Sequence, residues 1–124
     1  ATKEGVKLVV CAEQVPCGAA TKKLAESTGF TFTPVSEEQK VTDVRGKVEA
    51  GEADAGIVYR TDAVASGKKV DTIEIPGADQ IVNTYPIAPV KASEHAAEAK
   101  EFVDYVMSAE GQKSLKKYGF GSVK

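Results

Sequence analysis

One stretch limits the fold more than any other: Gly51 to Gly67, G-E-A-D-A-G-I-V-Y-R-T-D-A-V-A-S-G. Its centre, Ala55-Gly56-Ile57-Val58-Tyr59, is a compact apolar run. Gly and acidic residues precede it, and Arg60-Thr61-Asp62 follows. Such a run reads as a short buried strand. Thr61 or Asp62 then caps a short helix through about Ser66. A tyrosine at the carboxyl end of that strand stands where open α/β sheets hold their ligands. Tyr59 is therefore either a core residue or a hydroxyl aimed into a cleft.

The chain before it repeats the same alternation. Val6–Cys11 is nearly all apolar after Lys7, as in the middle of a parallel sheet. Pro16 precedes a helix from about Gly18 to Ser27, with Ala19, Ala20, Leu24 and Ala25 inward and Gly29 as its stop. Phe30–Val35 alternates as a second strand, ended or pushed to an edge by Pro34. Ser36–Lys40 reads as a charged loop. Thr42 or Asp43 caps a helix through about Ala50, with Val44 and Val48 on one face and Gly51 as its stop.

After Gly67 the pattern loosens. Val70–Ile75 reads as a strand and Pro76–Asp79 as a turn. Ile81–Val90 is extended, but Pro86 and Pro89 exclude a normal central strand, so it reads as a hinge. Ser93 caps a helix through about Met107 with Ala99, Phe102, Val103 and Val106 as its apolar stripe. Ser108 caps a last helix, which carries Leu115 and Tyr118 and stops at Gly119. The expected fold is three-layer α/β/α with a mostly parallel sheet over residues 1–89, followed by a helical segment over 90–124.

Composition narrows the function. The 124 residues suffice for one core, and the net charge of −2 supplies no field for nucleic acid or an anionic membrane. A bound anion would have to be held by oriented dipoles. The opening Ala-Thr-Lys-Glu-Gly is neither a Met start nor a signal peptide, which leads to the expectation of a processed or truncated chain. Cys11 and Cys17 have five residues between them. They form a local disulfide if the loop brings their Cα atoms within about 7 Å, and stay thiols otherwise. The one histidine, His95, is distant in sequence, which leaves a zinc site without ligands.

The common catalytic signatures are missing, among them G-x-S-x-G, H-E-x-x-H, G-x-x-x-x-G-K-[ST] and G-x-G-x-x-G. His95 reads as a surface residue, and Asp54 and Asp62 as loop and cap acids rather than catalytic carboxylates. Cys17 opens a helix, where the dipole would lower a thiol pKa, but no His lies near it in sequence. Another constellation uses the same residues. Pro16-Cys17-Gly18 and Thr42-Asp43-Val44 each open a helix directly after a strand and loop. Free N–H groups and positive helix ends there suit an oxyanion, Gly18 admits close approach, and Tyr59 adds a neutral O–H.

These residues also carry a resemblance. Val15-Pro16-Cys17-Gly18, Thr42-Asp43-Val44-Arg45, Gly51–Tyr59 with Thr61-Asp62-Ala63, Tyr85-Pro86-Ile87-Ala88 and Lys117-Tyr118-Gly119-Phe120 occur in this order. Together they resemble the molybdate-binding proteins of bacterial ABC importers, a type II periplasmic solute-binding family. The resemblance implies two α/β lobes that close by a hinge on molybdate or tungstate. It assigns this chain the second lobe, and 90–124 the return segment that packs on the first lobe. Carried over residue by residue, the ligand donors are the backbone N–H of Cys17, the backbone N–H of Val44 and the hydroxyl of Tyr59.

The resemblance further implies a binding protein rather than an enzyme, with no cofactor and no resident metal beyond the bound oxyanion. Its partners would be the membrane permease and ATPase of an ABC importer. Its location would be periplasmic or at the cell surface, with or without a lipid anchor. The family's first lobe and its serine ligands are not among these residues, so weaker binding is expected. The stripe of Phe102, Val103 and Val106 would then pack on this lobe, pack on a second copy in a domain-swapped or fragment dimer, or stay open. Two other readings remain at this stage: a thiol-dependent redox protein or enzyme that uses Cys11 and Cys17, and a structural fragment with no ligand.

Overall fold

A computed structural model describes residues 3–122. It divides into two compact units, residues 1–82 and 83–124. The first unit is α/β. It contains β1 (Leu8–Cys11), α1 (Pro16–Thr28), β2 (Ser36–Glu38), α2 (Val41–Glu49), β3 (Ala55–Gly56) and α3 (Arg60–Ser66), then short 3-10 turns at Gly67–Lys69 and Ala78–Gln80. The strands form one parallel sheet in the order β2-β1-β3, with Val9 opposite Ser36 on one side and opposite Gly56 on the other.

The central strand is buried throughout, as L-V-V-C predicts. Successive residues of a strand face opposite sides. Val9 packs in one cluster with Val44 of α2, whereas Val10 shares a surface with Gly18, Thr21 and Ala25 of α1. The two helices therefore cover opposite faces of the sheet, giving the three layers expected. Gly29 and Gly51 stop α1 and α2 at positive φ (72° and 74°), a conformation that costs a side-chain-bearing residue more than glycine.

Two strands differ from expectation. The second begins after Pro34 instead of before it. Pro34 has no N–H to give to a ladder, and the first bond to β1 comes from Val35 N–H to the Leu8 carbonyl at 2.8 Å. The strand that follows is Ser-Glu-Glu, the stretch that reads as a charged loop. It can be polar because it is the sheet edge, where charges also discourage pairing with other chains. Val70–Ile75 forms no strand either, and Ile73 is 85% exposed.

The second unit holds α4 (Ala96–Met107) and α5 (Ala109–Lys117). Residues 83–90 are irregular, as the two prolines require. Tyr85 meets Phe120 edge to face, with ring centres 5.7 Å apart. His95, not Ser93, is the N-cap of α4, and its N–H donates to Ser93 Oγ at 3.1 Å. Ser108 caps α5 as expected, its Oγ accepting the Gly111 N–H at 3.3 Å. On the apolar stripe of α4, Phe102 is 62% exposed while Ala99, Val103 and Val106 are half-buried.

Candidate functional site

Because the three strands are parallel, the helices that follow them all begin at the carboxyl edge of the sheet. The chain runs from β1 outward to β2, then crosses back to β3 on the other side of β1. Open α/β sheets bind ligands at such a reversal, at the carboxyl ends of the strands beside it, here β1 and β3. The loop after β1 leads into Cys17 and the loop after β3 leads into Tyr59, so both stand at that edge.

Cys17 is the second residue of α1 and follows Pro16 at the first helical position. A first-turn N–H has no carbonyl four residues back within the helix, so the Cys17 and Gly18 amides are open to other acceptors by geometry. The residue is 8% exposed, and its carbonyl accepts the buried Thr21 hydroxyl at 2.9 Å. Gly18 is needed for a contact within the chain itself. A Cβ there would lie 1.8 Å from the Ala12 carbonyl oxygen, so the helix closes on its own preceding loop.

Val44 is the fourth residue of α2, and its side chain is wholly buried (0% exposed). Its N–H donates to the Lys40 carbonyl at a long 3.4 Å, and the Asp43 N–H reaches the same carbonyl at 3.1 Å. Val41 and Thr42, one turn earlier, have first-turn amides that sequence reasoning passed over. The signal for them is the helix start itself, two or three residues earlier than the Thr42/Asp43 cap suggests.

Tyr59 is the N-cap of α3, with a buried hydroxyl. Its carbonyl anchors the first turn through the Asp62 and Ala63 amides at 3.0 and 3.2 Å. The structure brings the three expected residues together. Cys17 and Val44 belong to one apolar cluster with Val9, Cys11 and Ala53, and Tyr59 packs against it. Tyr59 packs against the core, and it stands at the carboxyl edge of the sheet. None of α1, α2 and α3 has a side-chain N-cap, whereas α5 does.

Cys11 and Cys17 form a disulfide, with Cα atoms 5.6 Å apart. In this form neither is a thiol nucleophile, and the reading as a thiol-dependent redox protein or enzyme is not favoured. The two carboxylates weighed as catalytic have structural places. Asp54 Oδ2 accepts the Lys7 N–H at 2.8 Å and ties the start of β1 to the loop before β3. Asp62 lies in the first turn of α3, where the dipole favours a negative charge. His95 is exposed in the other unit. Among the described residues no three His, Cys, Asp or Glu side chains are grouped to hold a metal ion, and no helix is long and apolar enough to cross a membrane.

An open groove of about 460 Å³ runs beside α1 and residues 30–34, and touches the candidate edge only at Cys11 and Gly18. Its lining includes Glu13, Glu26 and Glu37 against the single cation Lys22, a charge balance that repels an anion. The carboxyl edge of the sheet is the better candidate.

Known proteins were compared with the chain. The family model described as bacterial extracellular solute-binding protein matches residues 1–121. The molybdate-binding protein ModA of Mycobacterium tuberculosis is 44% identical over 119 residues, covering 96% of this chain and 46% of its own length. Bacillus subtilis YvgL, provisionally named an ABC transporter substrate-binding lipoprotein, is 41% identical over 87% of this chain and 43% of its own. Escherichia coli ModA, also named molybdate-binding, is 37% identical with the same coverage. The chain spans about half the length of these relatives. No solved structure matches it significantly.

Proposed function

The chain belongs to the family of bacterial extracellular solute-binding proteins, and from that premise we propose that it binds molybdate or tungstate for an ABC-type importer. It acts as a binding module and not as an enzyme. Its partners are the oxyanion and the permease and ATPase of the importer, and its place is outside the cytoplasmic membrane. The buried disulfide suits that compartment, where oxidising conditions preserve such bonds.

The observation that carries the reading is the gathering of Cys17, Val44 and Tyr59 around one cluster at the carboxyl edge of a parallel sheet. Two helix N-termini supply N–H donors and positive dipole ends, and Tyr59 supplies a hydroxyl. The set is electrically neutral. It can hold a tetrahedral dianion through oriented hydrogen bonds, without a counter-charge, in a protein of net charge −2. The amides of Val41 and Thr42 join Val44 as candidates on α2. Molybdate and sulfate share charge and shape but differ in radius, so a fixed ring of donors selects by size.

Calorimetric titration with molybdate, tungstate, sulfate and phosphate tests this. Molybdate and tungstate should bind and the smaller anions should bind far more weakly. Equal affinity for sulfate would contradict selection by size. Tyr59→Phe should weaken molybdate binding by about 1–3 kcal/mol, the scale for one hydrogen bond to a charged group. An unchanged affinity would remove the hydroxyl from the site.

A further inference from the structure

We propose that the Cys11–Cys17 disulfide is a positioning element of the oxyanion site: it holds the first turn of α1 so that the amides of Cys17 and Gly18 stay aimed at the ligand. This rests on the oxyanion reading above and adds to it a covalent part. Cys11 is the last residue of β1 and Cys17 the second residue of α1. The bridge therefore joins the rigid central strand directly to the turn that carries the donors. Both cysteines are buried, 3% and 8% exposed, in the cluster that also contains Val44 and receives the Tyr59 ring. The bridge thus references the α1 amides to the same core that fixes the other two donors.

The turn has no side-chain cap. Its N-cap, Val15, offers no side-chain acceptor, and no acidic residue occupies the first turn. An acidic or hydroxyl cap would steady the helix start, but it would also occupy the amides an anion needs. A disulfide steadies the same turn while leaving its N–H groups open. The other restraints include Ala19 N–H to the Val15 carbonyl at 3.0 Å, Val15 N–H to the Ala12 carbonyl at 3.1 Å, Ala12 N–H to the Glu38 carbonyl at 2.8 Å, the Thr21–Cys17 bond and the close seating of Gly18 on Ala12. Donors fixed before binding lose less ordering entropy when the ligand arrives, so the bridge acts on affinity as well as on stability.

The test is molybdate calorimetry on the oxidised protein, on the protein reduced with a phosphine, and on the double variant Cys11→Ala/Cys17→Ala. The phosphine attacks the bridge and water completes the step, giving two thiols and the phosphine oxide, whose oxygen comes from the water. Amide exchange is followed at positions 12–18, with circular dichroism as the check on fold. The expected result is a retained fold, a dissociation constant about tenfold higher in both bridge-less forms, faster exchange at positions 17 and 18, and recovery on reoxidation. Equal affinity with and without the bridge would overturn the inference alone. Global unfolding on reduction and in the double variant would also overturn it, because the bridge would then hold the whole unit and not one turn. If the oxidised protein fails to bind molybdate, the oxyanion reading falls and takes this inference with it.

Discussion

A methyl group on Gly18 would stand 1.8 Å from the Ala12 oxygen and 2.3 Å from its carbonyl carbon, and both are backbone atoms. On Gly56 it would stand 2.8 Å from Val44 Cγ1 and 3.1 Å from Val48 Cγ2, which are side-chain tips. Buried, β-branched Val44 gives way only by local repacking, but the contact at Gly18 is closer (1.8 against 2.8 Å) and falls on loop backbone. Gly18→Ala should therefore destabilise by about 3 kcal/mol or more, and Gly56→Ala by about 1–2 kcal/mol, as read from denaturant midpoints. The reverse order would mean that α1 is not seated on the Ala12 loop. This role of Gly18 was hidden in the sequence. A glycine after Pro-Cys signals close approach, but sequence does not say whether a ligand or the chain itself does the approaching. Tyr59 was legible as a strand-end tyrosine. It is the N-cap of α3, a position the Thr61/Asp62 cap reading put two or three residues too late.

Among the elements, α2 is tied to both neighbours by carboxylates. Glu38 of β2 accepts from Lys47 Nζ and from the Ser36 hydroxyl, which hold its carboxyl below the ordinary range against the opposing effect of burial. Glu49 accepts the Ser66 hydroxyl of α3 at 2.8 Å, which lowers its pKa most. Burial opposes this, and Lys69 and Arg45 add to the lowering. A carboxyl whose folded pKa is depressed stabilises the fold fully above its unfolded value and loses that contribution as pH falls through the folded one. Stability should therefore decline as pH drops below about 4.5, the ordinary glutamate value. Glu38→Gln and Glu49→Gln should each flatten that acid limb in thermal melts taken across pH. An acid limb identical to that of the unsubstituted protein would show that these contacts do not form in solution. Sequence reading missed β2 because an edge strand needs no apolar alternation. The phenylalanines of 30–35 suggested the strand, whereas Pro34 and the ladder bond from Val35 decided where it starts.

At the level of the whole molecule, alternating strand and helix signals were enough to predict the layered parallel sheet, since each strand of the first unit is followed by a helix with its own stop. The segments after Gly67 were less legible. Val70–Ile75 has the residues of a strand but pairs with none among the described residues, and Ile73 stays in solvent. Pairing is decided by neighbours, which a local pattern does not contain. The site was legible as helix starts and one tyrosine, while the closeness of Cys17, Val44 and Tyr59 depends on the strand order β2-β1-β3. The central claim is that this edge of the sheet receives the oxyanion. Its most direct test is a nuclear magnetic resonance titration of the isotope-labelled protein with molybdate, following every backbone amide. The account predicts the largest shifts at Cys17, Gly18 and Val41–Val44, with Tyr59 moving alongside. Shifts concentrated at Lys22, Ala25, Glu26 and residues 30–34 with Val41–Val44 unmoved, or spread evenly over the surface, would contradict it.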